Sequence, residues 1–224
     1  MKIAILGTGM VGKAHASRLT ELGHQVVMGT QNVEAKKVEQ TPDNSGQTFN
    51  DWHQQNPDVE LITLMEAAQI GELIINALSG QVSVEALKKL EAQIGEKILI
   101  DIANPLDFSQ GMPPTLTVCN TDSLGEQIQA ALPKAKVVKT CNTTNADVQV
   151  KPQELAEGDH HIFMSGNDEE AKNKVTDLLQ SYGWQNIIDL GDITTARGTE
   201  MFLPLWIRLF GKYGHSKFNI KVVK

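Results

Sequence analysis

The first twelve residues constrain the fold more than any other part of this chain. An apolar run at residues 3–6 is followed at once by Gly7, Gly9 and Gly12, and apolar residues then recur at helical spacing. A G-x-G-x-x-G pattern between a buried strand and a helix is typical of dinucleotide-binding domains. In such domains Gly7 allows a tight turn, Gly9 lets a pyrophosphate approach the backbone, and Gly12 lets the helix pack on the strand. We expect the phosphates at the helix N-terminus, where N–H groups without intrahelical partners favour anions.

Length, charge and cysteine content narrow the class of protein and its partners. A chain of 224 residues with 41% hydrophobic residues suits one large globular domain. Its net charge of −7 disfavours nucleic acid and anionic membranes as main partners. Two cysteines, Cys119 and Cys141, and no recognisable signal peptide predict a cytoplasmic protein without disulfide bonds. The most apolar stretch, residues 201–210, is too short to span a bilayer.

The alternation of strand and helix patterns predicts the fold class. Short apolar runs separated by helical periodicity are typical of parallel sheets that are covered on both faces. We expect an α/β fold: a Rossmann-type, doubly wound, mostly parallel sheet with a short C-terminal helical and strand extension. Residues 1–145 are expected to form the dinucleotide-binding core, and residues 146–224 to extend the same sheet, as a second unit or within a single domain. Beyond residues 3–6, strands are predicted at residues 25–30, 61–64, 73–77, 97–102, 136–141, 160–166, 185–192 (the last central strand) and 218–223.

The residues at the end of the second strand bear on the choice of cofactor. Sites that prefer NAD usually place an Asp or Glu there, which binds the ribose 2′-hydroxyl. This chain has Thr30, Gln31 and Asn32 instead, and no acid before Glu34. A 2′-phosphate would meet no like charge there, and Thr30, Asn32 and Lys36 could donate hydrogen bonds to it. The pattern favours NADP(H), although Thr and Asn are also common turn residues.

Three further segments follow predicted strands and are expected at the same edge of the sheet. Ligands of open parallel sheets bind at the carboxyl ends of the strands, where the strand order reverses. This places residues 76–80 beside the pyrophosphate and the nicotinamide ribose, and the carbonyls of residues 103–105 near the nicotinamide carboxamide. Residues 142–145 (Asn-Thr-Thr-Asn) are four polar side chains in a row, which suits a substrate-facing rim better than a core.

Other candidate sites are weaker. The loop at residues 109–122 is long for a structureless connection, so it is either a lid at the acceptor site or a disordered crossover. His160 and His161 begin a predicted strand, opposite the ligand edge, so we expect no metal site there. The sequence contains no Ser-His-Asp, Cys-His or paired-carboxylate arrangement that would indicate hydrolysis or nucleophilic catalysis.

Two apolar regions are expected to pack against other parts of the protein. Residues 40–59 are interpreted as a surface insertion that Phe49 and Trp52 pin to the sheet edge. Residues 194–210 are predicted as one long helix with more apolar side chains than a single narrow stripe needs. Such a helix is buried on several sides, either by the same chain or by a second subunit.

Several blocks, in this order, resemble the family of F-420-dependent NADP oxidoreductases over nearly the whole chain. The same cofactor domain resembles the cytosolic half of the STEAP ferric reductases. The blocks are residues 5–12 (ILGTGMVG), 23–30 (GHQVVMGT), 101–106 (DIANPL), 137–143 (VVKTCNT) and 203–205 (LPL).

The resemblance implies roles for individual positions. Residues 8–11 would hold the pyrophosphate, and Thr30 and Gln31 would flank the 2′-phosphate, where NADP-specific members have Arg at the second position. Asn142 occupies a position at which a characterised member has a histidine near the deazaflavin. Members of the family pair as homodimers through the C-terminal helix, so a homodimer is expected here.

The expected function is that of an NADP(H)-dependent oxidoreductase, which transfers hydride between the nicotinamide and a deazaflavin (F-420) or flavin-type acceptor. A non-catalytic NADP(H)-binding sensor and a reductase of another small acceptor are the alternatives. Neither a catalytic side chain nor a metal ligand is predicted, because the cofactor carries the chemistry of hydride transfer. The predicted cofactor-binding residues are Gly7, Thr8, Gly9, Met10, Val11, Gly12, Thr30, Gln31, Asn32, Lys36, Asn76, Ala77, Leu78, Ser79, Ala103, Asn104 and Pro105. The predicted substrate-side residues are Asn142, Thr143 and Thr144.

Overall fold

An eight-stranded sheet is the centre of the fold. The computed structural model describes residues 1–43 and 45–224. The strands are β1 (Lys2–Leu6), β2 (Gln25–Thr30), β3 (Glu60–Thr63), β4 (Leu73–Asn76), β5 (Ile98–Asp101), β6 (Leu106–Asp107), β7 (Thr115–Leu116), β8 (Lys136–Thr140), β9 (His161–Gly166) and β10 (Asn186–Asp189). In space the large sheet follows the order β3-β2-β1-β4-β5-β8-β9-β10. Strands β1 to β5 and β8 pair in parallel, which is the doubly wound Rossmann arrangement. The predicted fold class is confirmed.

Helices cover both faces of this sheet. They are α1 (Met10–Glu21), α2 (Val33–Lys37), α3 (Phe49–Gln55), α4 (Leu64–Ile70), α5 (Gly80–Lys88), α6 (Glu91–Ile94), α7 (Leu124–Ala131), α8 (Ala146–Val150), α9 (Glu169–Tyr182), α10 (Ala196–Met201) and α11 (Leu203–Tyr213). Ile3 and Ile5 of β1 belong to the core beneath α1, α3, α8 and α9. Ala4 and Leu6 belong to the core beneath α4, α5 and α7. The apolar run of β1 is continuous rather than alternating because both of its faces are buried.

The direction of the chain reverses after β8. Strand β9 pairs antiparallel with β8, and β10 pairs parallel with β9 at the edge of the sheet. The segment between β8 and β9 holds only α8 and two short 3-10 turns, and the chain re-enters the sheet from the edge at which it left. A parallel pairing would need a crossover to the opposite edge. Two expectations are therefore wrong: residues 185–192 do not form a central strand, and His160 and His161 lie at the carboxyl edge of the parallel strands, not opposite it.

The C-terminal region differs from the prediction in two ways. The expected helix at residues 194–210 is divided into a 3-10 turn (Ile193–Thr195), α10 and α11. Pro204 lies in the first turn of α11, where its missing N–H costs nothing, whereas in a continuous helix its ring would clash with the carbonyl of Glu200. The tail predicted as a strand at residues 218–223 forms no ladder, although the His161 N–H donates to the Ile220 carbonyl at 2.9 Å.

The two irregular segments are more ordered than the sequence predicts. Part of the loop at residues 109–122 belongs to a small antiparallel hairpin of β6 and β7. Within residues 40–59, Phe49 and Trp52 are buried as expected, but the Trp52 indole N–H donates to Ser17 of α1 at 3.0 Å. The insertion is therefore tied to α1 as well, while both aromatic side chains share a core with Met28 of β2 and Leu61 of the edge strand β3.

Residues 1–145 and 146–224 both contribute strands to the large sheet, and their division into units stays a prediction. The helices of the described residues include none that is long and apolar enough to cross a membrane. Both cysteines are free, with Cys141 buried and Cys119 exposed.

Close packing at the glycine turn gives a first prediction. A Cβ on Gly12 would lie 2.4 Å from the Gly7 carbonyl oxygen, which is backbone and cannot move aside. Gly12→Ala is therefore expected to lower the free energy of unfolding by about 1–3 kcal/mol, measured by urea denaturation. Gly9→Ala is the matched control, because its Cβ would meet nothing within 4 Å. It is expected to cost less than about 1 kcal/mol, as Ala is a poorer N-cap than Gly. Equal losses in the two variants would contradict this account of the turn.

Candidate dinucleotide-binding site

A cleft opens at the carboxyl ends of the parallel strands, where β1 and β4 lie side by side. Its volume is about 850 Å³. The glycine turn after β1 and the end of β2 form one side, and residues 77–79 and α5 form the other. From β1 the chain winds outward to β2 and β3, whereas β4 and β5 lie on the opposite side of β1. This is the topological switch point at which open α/β sheets bind ligands.

Two helix N-termini at the cleft offer backbone donors. Gly9, the N-cap of α1, and Ser79, the N-cap of α5, both line the cleft, and neither caps its helix with a side chain. In contrast, α2, α3, α4, α7, α8 and α9 each have a side-chain cap. The first-turn N–H groups of α1 and α5 are therefore suited to an anion from the cleft. Gly9 is exposed and leaves open space for it, which fits a pyrophosphate.

Gly7 brings the two walls of the cleft together. It has a φ of +118°, and a Cβ there would lie 2.5 Å from the Ala77 carbonyl oxygen. The turn after β1 and the turn after β4 consequently touch through their backbones. The Ala77 N–H donates to the Leu6 carbonyl at 2.9 Å, which continues the pairing of the two strands into the site.

The end of β2 is divided between two pockets. Thr30 and Gln31 line the cleft, and no carboxylate follows them until Glu34. Lys36 instead lines a smaller pocket of about 230 Å³, which also contains Thr8 and Gly9. Its ammonium group pairs with Glu39, so this carboxylate competes with any phosphate for Lys36.

Asn32 is partly committed to the local fold, because its side-chain oxygen caps α2 by accepting the Ala35 N–H at 3.0 Å. Its amide NH₂ group is the part of the side chain that could donate to a phosphate.

Asn76 does not line the cleft but fixes the backbone of the turn that does. Its side chain is completely buried, and its amide group donates to Ser83 at 3.1 Å and to Asp101 at 2.8 Å. Its side-chain oxygen accepts the Leu78 N–H at 3.3 Å. These contacts hold the turn that carries Ala77 and Leu78, so Asn76 acts on the cleft through the backbone.

The substrate-side prediction is wrong in one respect, because Asn142, Thr143 and Thr144 are buried and do not form an exposed rim. Asn142 and Asn104 exchange hydrogen bonds: the Asn142 amide donates to the Asn104 side-chain oxygen at 3.0 Å, and the Asn104 amide donates to the Asn142 carbonyl at 2.9 Å. The C-terminal tail covers the same segment, since the hydroxyl of Thr144 donates to the Phe218 carbonyl at 3.5 Å. Distant segments thus supply the cover that the local sequence did not reveal.

A buried polar chain connects α1 with this segment. His15 contacts Tyr182 at 3.1 Å and the side-chain oxygen of Gln149 at 2.9 Å. The Gln149 amide donates in turn to the Thr144 carbonyl at 2.8 Å. Because the Gln149 oxygen can only accept, the His15 Nε2 carries the proton. Burial lowers the pKa of His15 to about 4 and outweighs the opposing effect of the hydrogen bond that His15 donates to Gln149, so the ring is neutral at pH 7.

The described residues near the cleft include neither a reactive thiol nor a metal-binding group. Burial raises the pKa of the Cys141 thiol to about 12, so it is protonated and unreactive at neutral pH. Among the described residues, no group of three or more His, Cys, Asp or Glu is placed to hold a metal ion.

The structure brings some of the predicted residues together and leaves others outside the cleft. Those that line it are Gly7, Thr8, Gly9, Thr30, Gln31, Ala77, Leu78 and Ser79. Those outside its lining are Met10, Val11, Gly12, Asn32, Lys36, Asn76, Ala103, Asn104 and Pro105. Lining residues that the sequence analysis missed are Gly29, Thr63, Leu64, Met65, Gln81, Val82, Glu85, Ala86, Lys89 and Leu90. The strand-end rule applied to β3 would have found Thr63 to Met65, whereas the contribution of α5 depends on tertiary packing.

Comparison with known proteins agrees with this geometry. A profile of the family "NADP oxidoreductase coenzyme F420-dependent" matches residues 2–105. The F420-dependent NADP reductase of Methanocaldococcus jannaschii is 30% identical over 99% of this chain and 98% of its own length. The crystal structure of a candidate F420-dependent NADP reductase from Arthrobacter sp. FB24 is 52% identical, covers 100% of both chains and has a TM-score of 0.95. Metalloreductase STEAP3 from Rattus norvegicus is 26% identical over 92% of this chain, which corresponds to 38% of that protein.

Fold, cleft and relatives together define an NADP-linked oxidoreductase of the Rossmann class. The chain belongs to the family of F420-dependent NADP oxidoreductases. The resemblance that the sequence blocks indicated, including the relation to STEAP reductases, is confirmed.

The depressed pKa of His15 makes stability depend on pH. Between pH 6.5 and about 4 the unfolded chain binds a proton at His15 that the folded chain excludes, so stability is full above pH 6.5 and falls with pH. The loss from His15 is expected to reach about 3 kcal/mol at pH 4. Urea denaturation of the wild type and of His15→Gln at several pH values isolates the contribution of His15 to the pH dependence of stability. The two stability curves should converge as the pH falls, and parallel curves would contradict the assignment.

Proposed function

We propose that this protein transfers hydride between NADP(H) and a deazaflavin such as F-420 or a flavin-type acceptor. The observation that carries the proposal is the cleft between the glycine turn and α5, with uncapped helix N-termini at Gly9 and Ser79. Family membership supports it, because relatives over the full chain length are named F420-dependent NADP reductases.

The contribution of the chain is binding and orientation. When bound, the reduced nicotinamide supplies a hydride from C4, leaving oxidised NADP, and the acceptor takes that hydride together with one proton from water. The N–H groups after Gly9 would hold the pyrophosphate at the start of α1. Residues 77–79, which line the cleft, would contact the nicotinamide side, and residues 103–105, which lie outside the lining but touch the start of α5 at Gly80, would border it.

The end of β2 supports NADP(H) over NAD(H). Thr30 is half-buried in the cleft lining beside Gln31, and neither carries a charge that would repel a 2′-phosphate. An acid at this place would bind the 2′-hydroxyl of NAD instead. The charged residues of the opposite wall are Glu85 of α5 and Lys89, which follows that helix.

One observation favours the alternative of an NADP(H)-binding sensor without turnover. Asn142, Thr143 and Thr144 are buried and the C-terminal tail contacts Thr144, so an acceptor side at these residues would be covered. A sensor would bind NADPH through the same glycine turn and leave it unoxidised.

Stopped-flow absorbance at the NADPH band distinguishes the two functions. NADPH mixed with the protein is expected to lose its absorbance when F-420, FMN or FAD is added. Tight binding of NADPH without oxidation by any of the three acceptors would support the sensor. Absence of NADPH binding in a calorimetric titration would refute both.

The 2′-phosphate position gives a second test. Thr30→Asp places a like charge beside the phosphate, so NADP(H) affinity is expected to fall by about 1–3 kcal/mol. Thr30→Asn is the matched control, because it has the size of Asp without the charge, and it should bind NADP(H) nearly as well as the wild type. Titration calorimetry with NADP(H) and NAD(H) measures both variants. An unchanged NADP(H) affinity in Thr30→Asp would refute the placement of the phosphate.

The outer surface of α11 supports the proposed homodimer. Leu205 is 54% exposed and Phe210 is 38% exposed, although both are large apolar side chains on one helix. Exposed apolar patches of this kind mark interaction surfaces. We propose that a second copy of the chain covers these exposed side chains, and that the protein acts in the cytoplasm.

A further inference from the structure

A lysine is buried in the middle of the carboxyl edge of the sheet. The Lys139 side chain is 0% exposed and pairs with two carboxylates, Asp101 on β5 at 2.8 Å and Glu200 on α10 at 2.8 Å. Its third contact is the Ala103 carbonyl at 2.6 Å. An ammonium group has three donors, so all of them are used.

Asp101 and Glu200 each accept further hydrogen bonds that fix their carboxylates in place. Asp101 accepts the Asn76 amide at 2.8 Å and the Ala103 N–H at 3.2 Å. Glu200 accepts the backbone N–H groups of Leu124 at 2.7 Å and Gly125 at 3.0 Å, at the start of α7. The cluster carries a net charge of −1, and the positive end of the α7 dipole compensates it.

Lys139 stays protonated in this setting. Burial alone would lower its pKa, but the charges of Asp101 and Glu200 outweigh burial and raise the pKa above its usual value. A permanent ammonium group therefore faces the backbone of the segment that follows β5.

That segment is fixed on three sides. Ala103 is clamped at both of its backbone groups, the N–H by Asp101 and the carbonyl by Lys139. Asn104 exchanges hydrogen bonds with Asn142. Its carbonyl also approaches Gly80 so closely that a Cβ there would lie 2.0 Å from the oxygen. The backbone of residues 103–105 therefore has little freedom to adapt to a ligand.

We propose that Lys139 is a positioning residue, which fixes the backbone of residues 103–105 so that it receives the nicotinamide half of the cofactor in one orientation. The proposal rests on the proposed function, because it assigns residues 103–105 to the nicotinamide. Lys139 itself is buried and acts through the Ala103 carbonyl. The adenosine half binds at the glycine turn and the end of β2, which belong to other parts of the sheet, so it should not depend on Lys139.

A double variant removes the clamp without changing the charge of the cluster. Lys139→Met with Asp101→Asn keeps the net charge at −1 and leaves Glu200 on its two backbone donors, while the Ala103 carbonyl loses its ammonium partner. Calorimetric titration with NADPH is compared with titration of adenosine 2′,5′-bisphosphate, which lacks the nicotinamide half. NADPH affinity is expected to fall by about tenfold or more, whereas affinity for the bisphosphate stays within about twofold.

The chain offers a matched control at the opposite edge of the sheet. Lys172 is also buried, with 4% of its side chain exposed, and pairs with Glu169 at 2.7 Å and Asp189 at 2.8 Å. Lys172→Met with Asp189→Asn makes the same chemical change away from the cleft. It is expected to lower stability but to leave both affinities as in the wild type.

The outcomes separate the two proposals. If the wild type does not bind NADPH, the proposed function fails. If the wild type binds NADPH but the Lys139 variant weakens both ligands equally, or neither, the positioning role is overturned.

A second measurement covers a Lys139 variant that does not fold. Amide hydrogen exchange of the wild type is followed with no ligand, with the bisphosphate and with NADPH. The Ala103 amide is expected to be protected already in the free protein, and its protection to change little when NADPH binds. Exchange of this amide at the rate of an exposed group in the free protein would overturn the proposal.

Discussion

Two backbone approaches at the glycine turn determine where the rest of the site can lie. A Cβ on Gly12 would meet the Gly7 carbonyl, and a Cβ on Gly7 would meet the Ala77 carbonyl. The first approach seats α1 directly on the end of β1, and the second joins the turn after β1 to the turn after β4. Because these contacts are backbone to backbone, no side-chain rearrangement can loosen them. These two steric constraints position the glycine turn at the start of α1 against the turn that precedes α5, and so place the cleft between them.

The same constraints explain which parts of the site could be predicted from the sequence. Glycine spacing, the strand before it and the helix after it are local features, so the cleft residues from Gly7 to Gly9 and from Ala77 to Ser79 were within reach. The lack of an acid after β2 was equally local. The direction of the strands after β8 could not be predicted, because it depends on the path of a connection whose sequence resembles that of any other loop. The burial of Asn142 and Thr144 could not be predicted either, since Asn142 bonds with Asn104 and Thr144 contacts a tail more than 70 residues further along the chain.

The buried charges of Lys139 and its carboxylate partners are a second feature that sequence patterns could not predict. Lys139 lies in the buried part of β8 opposite Asp101, its register partner on β5. Alone, either group would be expensive to bury, and a buried ion pair often adds little net stability compared with apolar residues. The ion pairs instead fix the relative positions of β5, β8, α7 and α10. The carboxylate oxygens and the ammonium hydrogens find their partners only when these four elements are arranged as observed. The sequence block that contains Lys139 predicted a strand correctly, but the partners of the lysine come from β5, from the segment after it and from α10.

The titratable groups around the acceptor side bear on the kind of substrate that the proposed chemistry can use. His15 is neutral at pH 7, the Cys141 thiol is protonated, and Lys139 is committed to two carboxylates and a carbonyl. None of these three groups is poised to give a proton to a substrate at neutral pH. Reduction of a carbonyl normally needs such a donor, because the oxygen gains negative charge as hydride arrives. A deazaflavin or flavin spreads that charge over its ring system and can take its proton from water. These three buried groups therefore fit the proposed acceptor, for which the protein would supply position and exclusion of water rather than acid catalysis.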